Sequence, residues 1–116
     1  MSYYTILRYK PLDFEIAPKS TEVQATFDEA KMYCFSLKVD GKVGWRLPTK
    51  YELIKIYNKV SHDFEKDWYT SCTGYSDHSI FMVDFCDGVT GGRAEACMKT
   101  ETMPSYVRAV RDLKDN

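Results

Sequence analysis

Scarcities in this chain each remove a class of function. Net charge is one: 16 basic against 17 acidic residues leave a formal charge of −1 over 116 residues. A near-neutral chain has no global field to draw it to phosphate, and its basic residues are scattered, so nucleic-acid binding is not expected. The stretch Arg108–Lys114 holds three basic groups, but Asp112 and Asp115 dilute it. Long apolar runs are missing, so membrane insertion is not expected either. Met1–Arg8 lacks a basic start followed by an apolar core, the mark of a secretion signal. The expected location is therefore the cytoplasm, or a virus particle after cytoplasmic synthesis. None of the four cysteines, Cys34, Cys72, Cys86 and Cys97, stands in a C-x-x-C pair, which speaks against zinc-ribbon and thioredoxin-like chemistry. Reduced thiols without a disulfide are the expectation. There is no Ser/His/Asp triad, no phosphate-cradling glycine loop, no internal repeat and no low-complexity segment.

What is present reads as one domain spanning residues 1–116. Aromatic residues make up 15% of the chain, nine of them Tyr, which suits a packed mixed core or a binding surface. Thr26-Phe27-Asp28-Glu29 and Thr49-Lys50-Tyr51-Glu52 both read T-x-x-E, the capping box that opens a helix. The first helix is expected over Phe27–Leu37, with Phe27, Ala30, Cys34 and Leu37 in one stripe and an end near Asp40-Gly41. The second is expected over Lys50–Val60, with Leu53, Ile56, Tyr57 and Val60 inward and Lys50, Lys55 and Lys59 outward.

The period then changes. Ile80–Cys86 predicts a strand with Phe81, Val83 and Phe85 on one face. Arg93–Thr100 alternates, with Ala94, Ala96 and Met98 on one side. A turn centred on Gly91-Gly92 would set Phe85 opposite Met98, Asp84 opposite Lys99, and Cys86 facing Cys97. Trp68–Cys72 is a shorter strand and Tyr106–Val110 a last one. Tyr3–Tyr9 is expected to be a first strand that pairs with the last. The fold class is α+β: two helices packed on one side of a small antiparallel sheet, with long loops.

Gly44-Trp45-Arg46-Leu47-Pro48-Thr49, followed by Tyr51-Glu52-Leu53, resembles the G-W-R-L-P-T-x-x-E-L pattern of the Legionella collagen-like adhesin C-terminal domain family. More distantly it is similar to the R-L-P-T-E-x-E-W of the formylglycine-generating (sulfatase-modifying) enzymes. Thr26–Ala30 with Tyr33-Cys34 resembles the family's first helix. Trp68–Ser71 resembles its Y-W-S-S strand, Phe81–Gly88 its W-Y-V-D-F-S-D-G, and Tyr106–Arg111 its Y-V-R-C-V-R. The resemblance implies a C-type-lectin-like fold, a binding role and a homo-oligomer as one assembly open to the chain. It also implies that Cys34 has lost a disulfide partner, because Ala109 stands where the family often carries cysteine.

Chemistry is not expected. Trp45 and Leu47 read as packing residues and Arg46 as a local ion-pair partner. No local base or positive group is expected to activate Cys86 or Cys97. His62 and His78 with Cys72, Asp63 or Asp77 match no metal-ligand frame, and no cofactor is expected. The expected binding surface is the polar, aromatic stretch Ser61–Ser79, carried by Trp68, Tyr69, Tyr75, Asp77 and His78. Its partner would be a protein or a glycan, as in an adhesin or a phage virion accessory protein. The alternative is an intracellular phage-type inhibitor or adaptor that binds one host protein.

Overall fold

The computed structural model describes residues 12–87, 91–98 and 104–113. Among them the order is β1 (Phe14–Ile16), β2 (Val23–Ala25), α1 (Phe27–Ser36), α2 (Lys50–Val60), β3 (Trp68–Ser76), β4 (Ser79–Asp84), β5 (Ala94–Met98), β6 (Ser105–Val107) and β7 (Val110–Asp112), with single 3-10 turns at Lys19–Thr21 and Ser61–Asp63. The α+β class is as expected. The expected strand Tyr3–Tyr9 lies outside the described residues.

Both helices start where the capping boxes place them. Thr26 and Thr49 each accept from the backbone N–H of Glu29 and Glu52, whose carboxylates return the bond to the cap N–H. In α1, Ala30 and Cys34 are buried and Phe27 half-buried, with Leu37 half-buried just past its end; in α2, Leu53, Ile56 and Val60 are buried. The end of α1 differs from expectation. The helix stops at Ser36, and Asp40 (φ 51°) and Gly41 (φ 78°) form a tight reversal between Val39 and Lys42 instead of a helix cap.

The main sheet has the order β2-β6-β3-β4-β5, and β1 pairs separately with β7. The pairs are antiparallel except β3 with β6, which meet in parallel at Tyr69 and Tyr106. The single last strand expected over Tyr106–Val110 is two strands in two sheets, split at Arg108-Ala109. The β4–β5 register also differs: Ser79 faces Met98 and Val83 faces Ala94, so Cys97 lies opposite Ile80 and Cys86 falls beyond the sheet. The cause is a wider connection. Asp84 closes it, donating its N–H to Arg93 O (2.9 Å) and accepting from Gly92 N (2.6 Å). Gly91 and Gly92 pass close to Tyr57, and a Cβ on Gly91 would lie 1.9 Å from the Tyr57 hydroxyl and 2.2 Å from Cys86 O. Gly91 marks a close crossing rather than the tip of a two-residue turn.

The helices bury their stripes in two separate clusters, not together on one side of the sheet. Leu53, Ile56 and Val60 of α2 join Phe14, Ile16, Phe64, Tyr69, Val83, Phe85 and Val110. Ala30 and Cys34 of α1 join Ala17, Val39, Trp45, Leu47, Val107 and Ala109. Alternation along β6 sends Tyr106 toward the first cluster and Val107 into the second. Arg108, 1% exposed, lies between them. Its guanidinium donates to Ala17 O (2.6 Å), to Glu22 (3.0 Å) and to Asp63 through both the backbone carbonyl (3.1 Å) and the carboxylate, and it lies 4.5 Å from the Phe64 ring centroid.

Truncating one partner of a buried ion pair leaves the other charge without compensation. Arg108→Met is expected to lower the unfolding free energy by about 3–5 kcal/mol. Arg108→Lys should recover only part of it, because one ammonium cannot reproduce the planar fork. Urea denaturation of the three proteins measures this; a loss under about 1 kcal/mol for Arg108→Met, the size of an exposed pair, would contradict it.

Candidate binding groove on the open sheet face

Residue alternation assigns the two faces of the sheet different roles. Tyr69 and Val83 face each other across β3 and β4 and enter the α2 cluster. Their neighbours Trp68, Thr70, Ile80 and Met82 line the opposite face. There, a groove of about 260 Å³ runs between the start of α1 and the sheet. An engineered apolar cavity of about 150 Å³ accepts benzene, so this one has room for a larger group.

The groove is assembled from five stretches of chain. Gln24–Phe27 form one wall, with Phe27 held where the capping box starts α1. Pro104–Tyr106 lie beside it, since Ala25 pairs with Ser105. The floor is Trp68 and Thr70 of β3 with Ile80 and Met82 of β4, and Glu95 and Cys97 of β5 close the far side. Ser105 Oγ lies 3.8 Å from Met82 Sδ. Asp67 stands at the lower end, where its carboxylate accepts from Trp68 N (2.7 Å) and its carbonyl from Phe85 N (2.9 Å).

Thr70 sets the groove apart from an ordinary hollow. It is 3% exposed, and its hydroxyl oxygen is buried without a hydrogen-bond partner among the described residues. Buried hydroxyls are normally paired. Its neighbour Ser71 shows the usual solution: Ser71 Oγ donates to Phe81 O (2.6 Å) and accepts from Thr73 N (3.1 Å), filling the ladder where β3 bulges between Thr70 and Gly74.

The residues expected to bind are dispersed. Trp68 is half-buried and lines the groove. Tyr69 does not belong to a surface: it is fully buried, donates to Glu22 (2.9 Å), accepts from Glu65 N (2.7 Å) and packs 4.7 Å from Phe85, ring to ring. Burial raises its phenol pKa, so it stays protonated. Tyr75 is exposed on the other face, edge-on to Phe81 at 5.5 Å, where Lys50 Nζ also lies 3.7 Å from the Phe81 ring centroid. Asp77 and His78 are exposed in the two-residue turn that joins β3 to β4. The expected loop over Ser61–Ser79 is thus mostly strand, because β3 pairs with β4 as far as Ser76. No group of three His, Cys, Asp or Glu side chains that could hold a metal ion occurs among the described residues.

Trp45, Arg46 and Leu47 hold the fold, as expected. Trp45 and Leu47 are buried, and Trp45 Nε1 donates to Lys42 O (3.0 Å). Arg46 grips Glu52 through two bonds (2.7 and 2.8 Å) and reaches Asp112 (2.7 Å). Burial disfavours the charge on Glu52, but the Arg46 and Thr49 hydrogen bonds outweigh it and hold the carboxyl below its ordinary pKa. The thiols of Cys34, Cys72 and Cys86 are not activated. Burial pushes Cys34 up to about 12 and raises Cys72, while hydrogen bonding to Asp84, burial and the charges of Asp84, Asp67 and Asp87 raise Cys86.

No family model matches the chain, and no curated protein matches it.

Thr70→Val keeps the shape and removes the unpaired hydroxyl. It is expected to raise the unfolding free energy by about 1–2 kcal/mol. Chemical denaturation measures the change, and a decrease would mean that the hydroxyl is hydrogen-bonded in solution.

Proposed function

We propose that the chain is a non-catalytic binding module with a C-type-lectin-like fold, that it recognises a protein or glycan, and that the open sheet face is its contact surface. The observation that carries this reading is the groove with the orphaned Thr70 hydroxyl at its floor. A buried polar group without a partner destabilises the free protein, and a ligand that supplies the missing bond removes the penalty. The thiol pKa directions support binding over thiol chemistry, because a protonated thiol is a poor nucleophile.

The C-type-lectin-like part draws support from the G-W-R-L-P-T segment, whose Trp45 and Leu47 share a cluster with Cys34 and Ala109. The resemblance links those last two positions by a disulfide in other chains, and here both side chains are in one core. Ala109→Cys is expected to let Cys34 close a disulfide under mild oxidation. Mass spectrometry after alkylation tests it; a variant that folds but keeps Cys34 reduced under oxidant would count against the fold assignment.

The adhesin or virion-accessory reading is tested by probing arrays of glycans and of purified surface proteins with the wild-type chain and two variants. Glu95→Lys alters the groove rim, and Phe35→Ser alters a distant exposed position. The expected result is at least one ligand whose binding falls about tenfold in Glu95→Lys, the loss of one charge-assisted contact, and is unchanged in Phe35→Ser. Light scattering of the same samples reports whether a homo-oligomer forms. A strict monomer without affinity for either ligand class, or binding insensitive to Glu95, would overturn the proposal. The second reading is an adaptor or inhibitor inside a cell, favoured by the reduced thiol of Cys34, which is buried in a core that needs no disulfide. A single stoichiometric partner protein with no glycan binding would select it.

A further inference from the structure

The described residues that line the groove carry one sign of charge. Among the described residues its lining contains Asp67 and Glu95 but no Lys, Arg or His. Both carboxylates are exposed, and neither has an ion-pair partner among the described residues. Of the nearby cations, Lys66 is bound to Asp87 (2.5 Å), and Lys31 lies 5.0 Å from the Phe27 ring centroid. Between the carboxylates the surface is apolar and aromatic, built from Trp68, Ile80 and Met82.

Register puts Thr70, Met82 and Glu95 in one row across three strands. At the usual strand spacing the ends of that row are about 9–10 Å apart. The free hydroxyl thus lies at one end, a carboxylate at the other, with a thioether between. A group that satisfies the whole row needs an apolar stem, a positive charge and hydrogen-bond donors on two edges. A guanidinium on its three-carbon stem has all of these, and its plane stacks on an indole. An ammonium has the charge but concentrates its donors at one point. A neutral sugar supplies no charge, and an acidic group would face two carboxylates.

We propose that the groove receives an arginine side chain from a protein partner, with Thr70 and Glu95 accepting from its guanidinium and Trp68 packing against its plane. This rests on the reading of the open sheet face as a contact surface, and it selects protein over glycan.

The test is a titration of the full isotope-labelled chain with acetyl-Gly-Arg-Gly-amide, followed by backbone amide and Trp68 indole NMR shifts. Counterparts carry citrulline, lysine or glutamate in place of arginine. The arginine peptide is expected to shift Trp68, Thr70, Met82 and Glu95. Citrulline should bind about tenfold more weakly through loss of the charge. Thr70→Val should weaken arginine binding about fivefold, the scale of one hydrogen bond. Glu95→Gln should weaken it about threefold, as expected for an exposed pair. Thermal melts of both variants confirm that they are folded.

Equal binding of citrulline and arginine would overturn the charge assignment. So would shifts confined to residues outside the groove. If no peptide binds but the arrays yield a ligand sensitive to Glu95→Lys, the arginine inference fails and the contact surface stands. If neither assay yields a ligand, both fall.

Discussion

The constraint on which the rest depends is the burial of one guanidinium. Arg108 is 1% exposed, in the middle of the apolar run Tyr106–Val110. A charge in that position must have its donors matched, and the chain supplies acceptors from segments 91 and 45 residues away, Ala17 O and Asp63. Glu22 is drawn in as well, and its carboxylate is shared with the Tyr69 hydroxyl. The segment before α1 is thereby tied to the turn after α2. Satisfying Arg108 also splits the last extended stretch in two: β6 stays in the main sheet, and β7 turns away to pair with β1 and, through Val110, with Arg46.

Arg46 provides a second, more exposed clamp. Its bonds to Glu52 anchor the first turn of α2, where a carboxylate already suits the helix dipole, and its bond to Asp112 fixes β7 against that turn. Arg111 adds to it from the same strand, donating to Val43 O (2.7 Å) and pairing with Glu15 (3.5 Å). Arg108 and Arg111 are therefore internal struts.

How much of this was legible depends on how local the cause is. Both helices could be read because a capping box and an apolar stripe lie within a dozen residues. The packing roles of Trp45, Arg46 and Leu47 followed from the same kind of local pattern. The β4–β5 register could not be read, because it is set by Tyr57 on another element, over which Gly91 and Gly92 must pass. The inward position of Tyr69 and the groove position of Trp68 depend on a parity that Trp68-Tyr69-Thr70-Ser71 does not declare, with large or polar residues on both faces. A charge inside an apolar run was the available sign of Arg108, and it is visible in hindsight as Tyr-Val-Arg-Ala-Val. The groove had no sequence sign, since its walls come from five separate stretches.

The groove exists because of what α1 does not cover. That helix buries small residues, Ala30 and Cys34, against Trp45 and Val107, while Met32 and Phe35 are 70% and 83% exposed. Small inward residues let the helix approach its own cluster closely, and they direct its bulk away from the face of Thr70 and Met82. Rolling α1 to bury Phe35 would withdraw Cys34 from that cluster and strain the Thr26 cap that fixes its first turn. Local capping and a narrow stripe thus hold the helix to one side, and the sheet keeps a free face. A threonine hydroxyl that is buried at the floor of that face, unpaired among the described residues, is costly for folding, and it is the group that the proposed binding role would satisfy. Under that proposal the same residue connects the stability of the free chain to the occupancy of the groove.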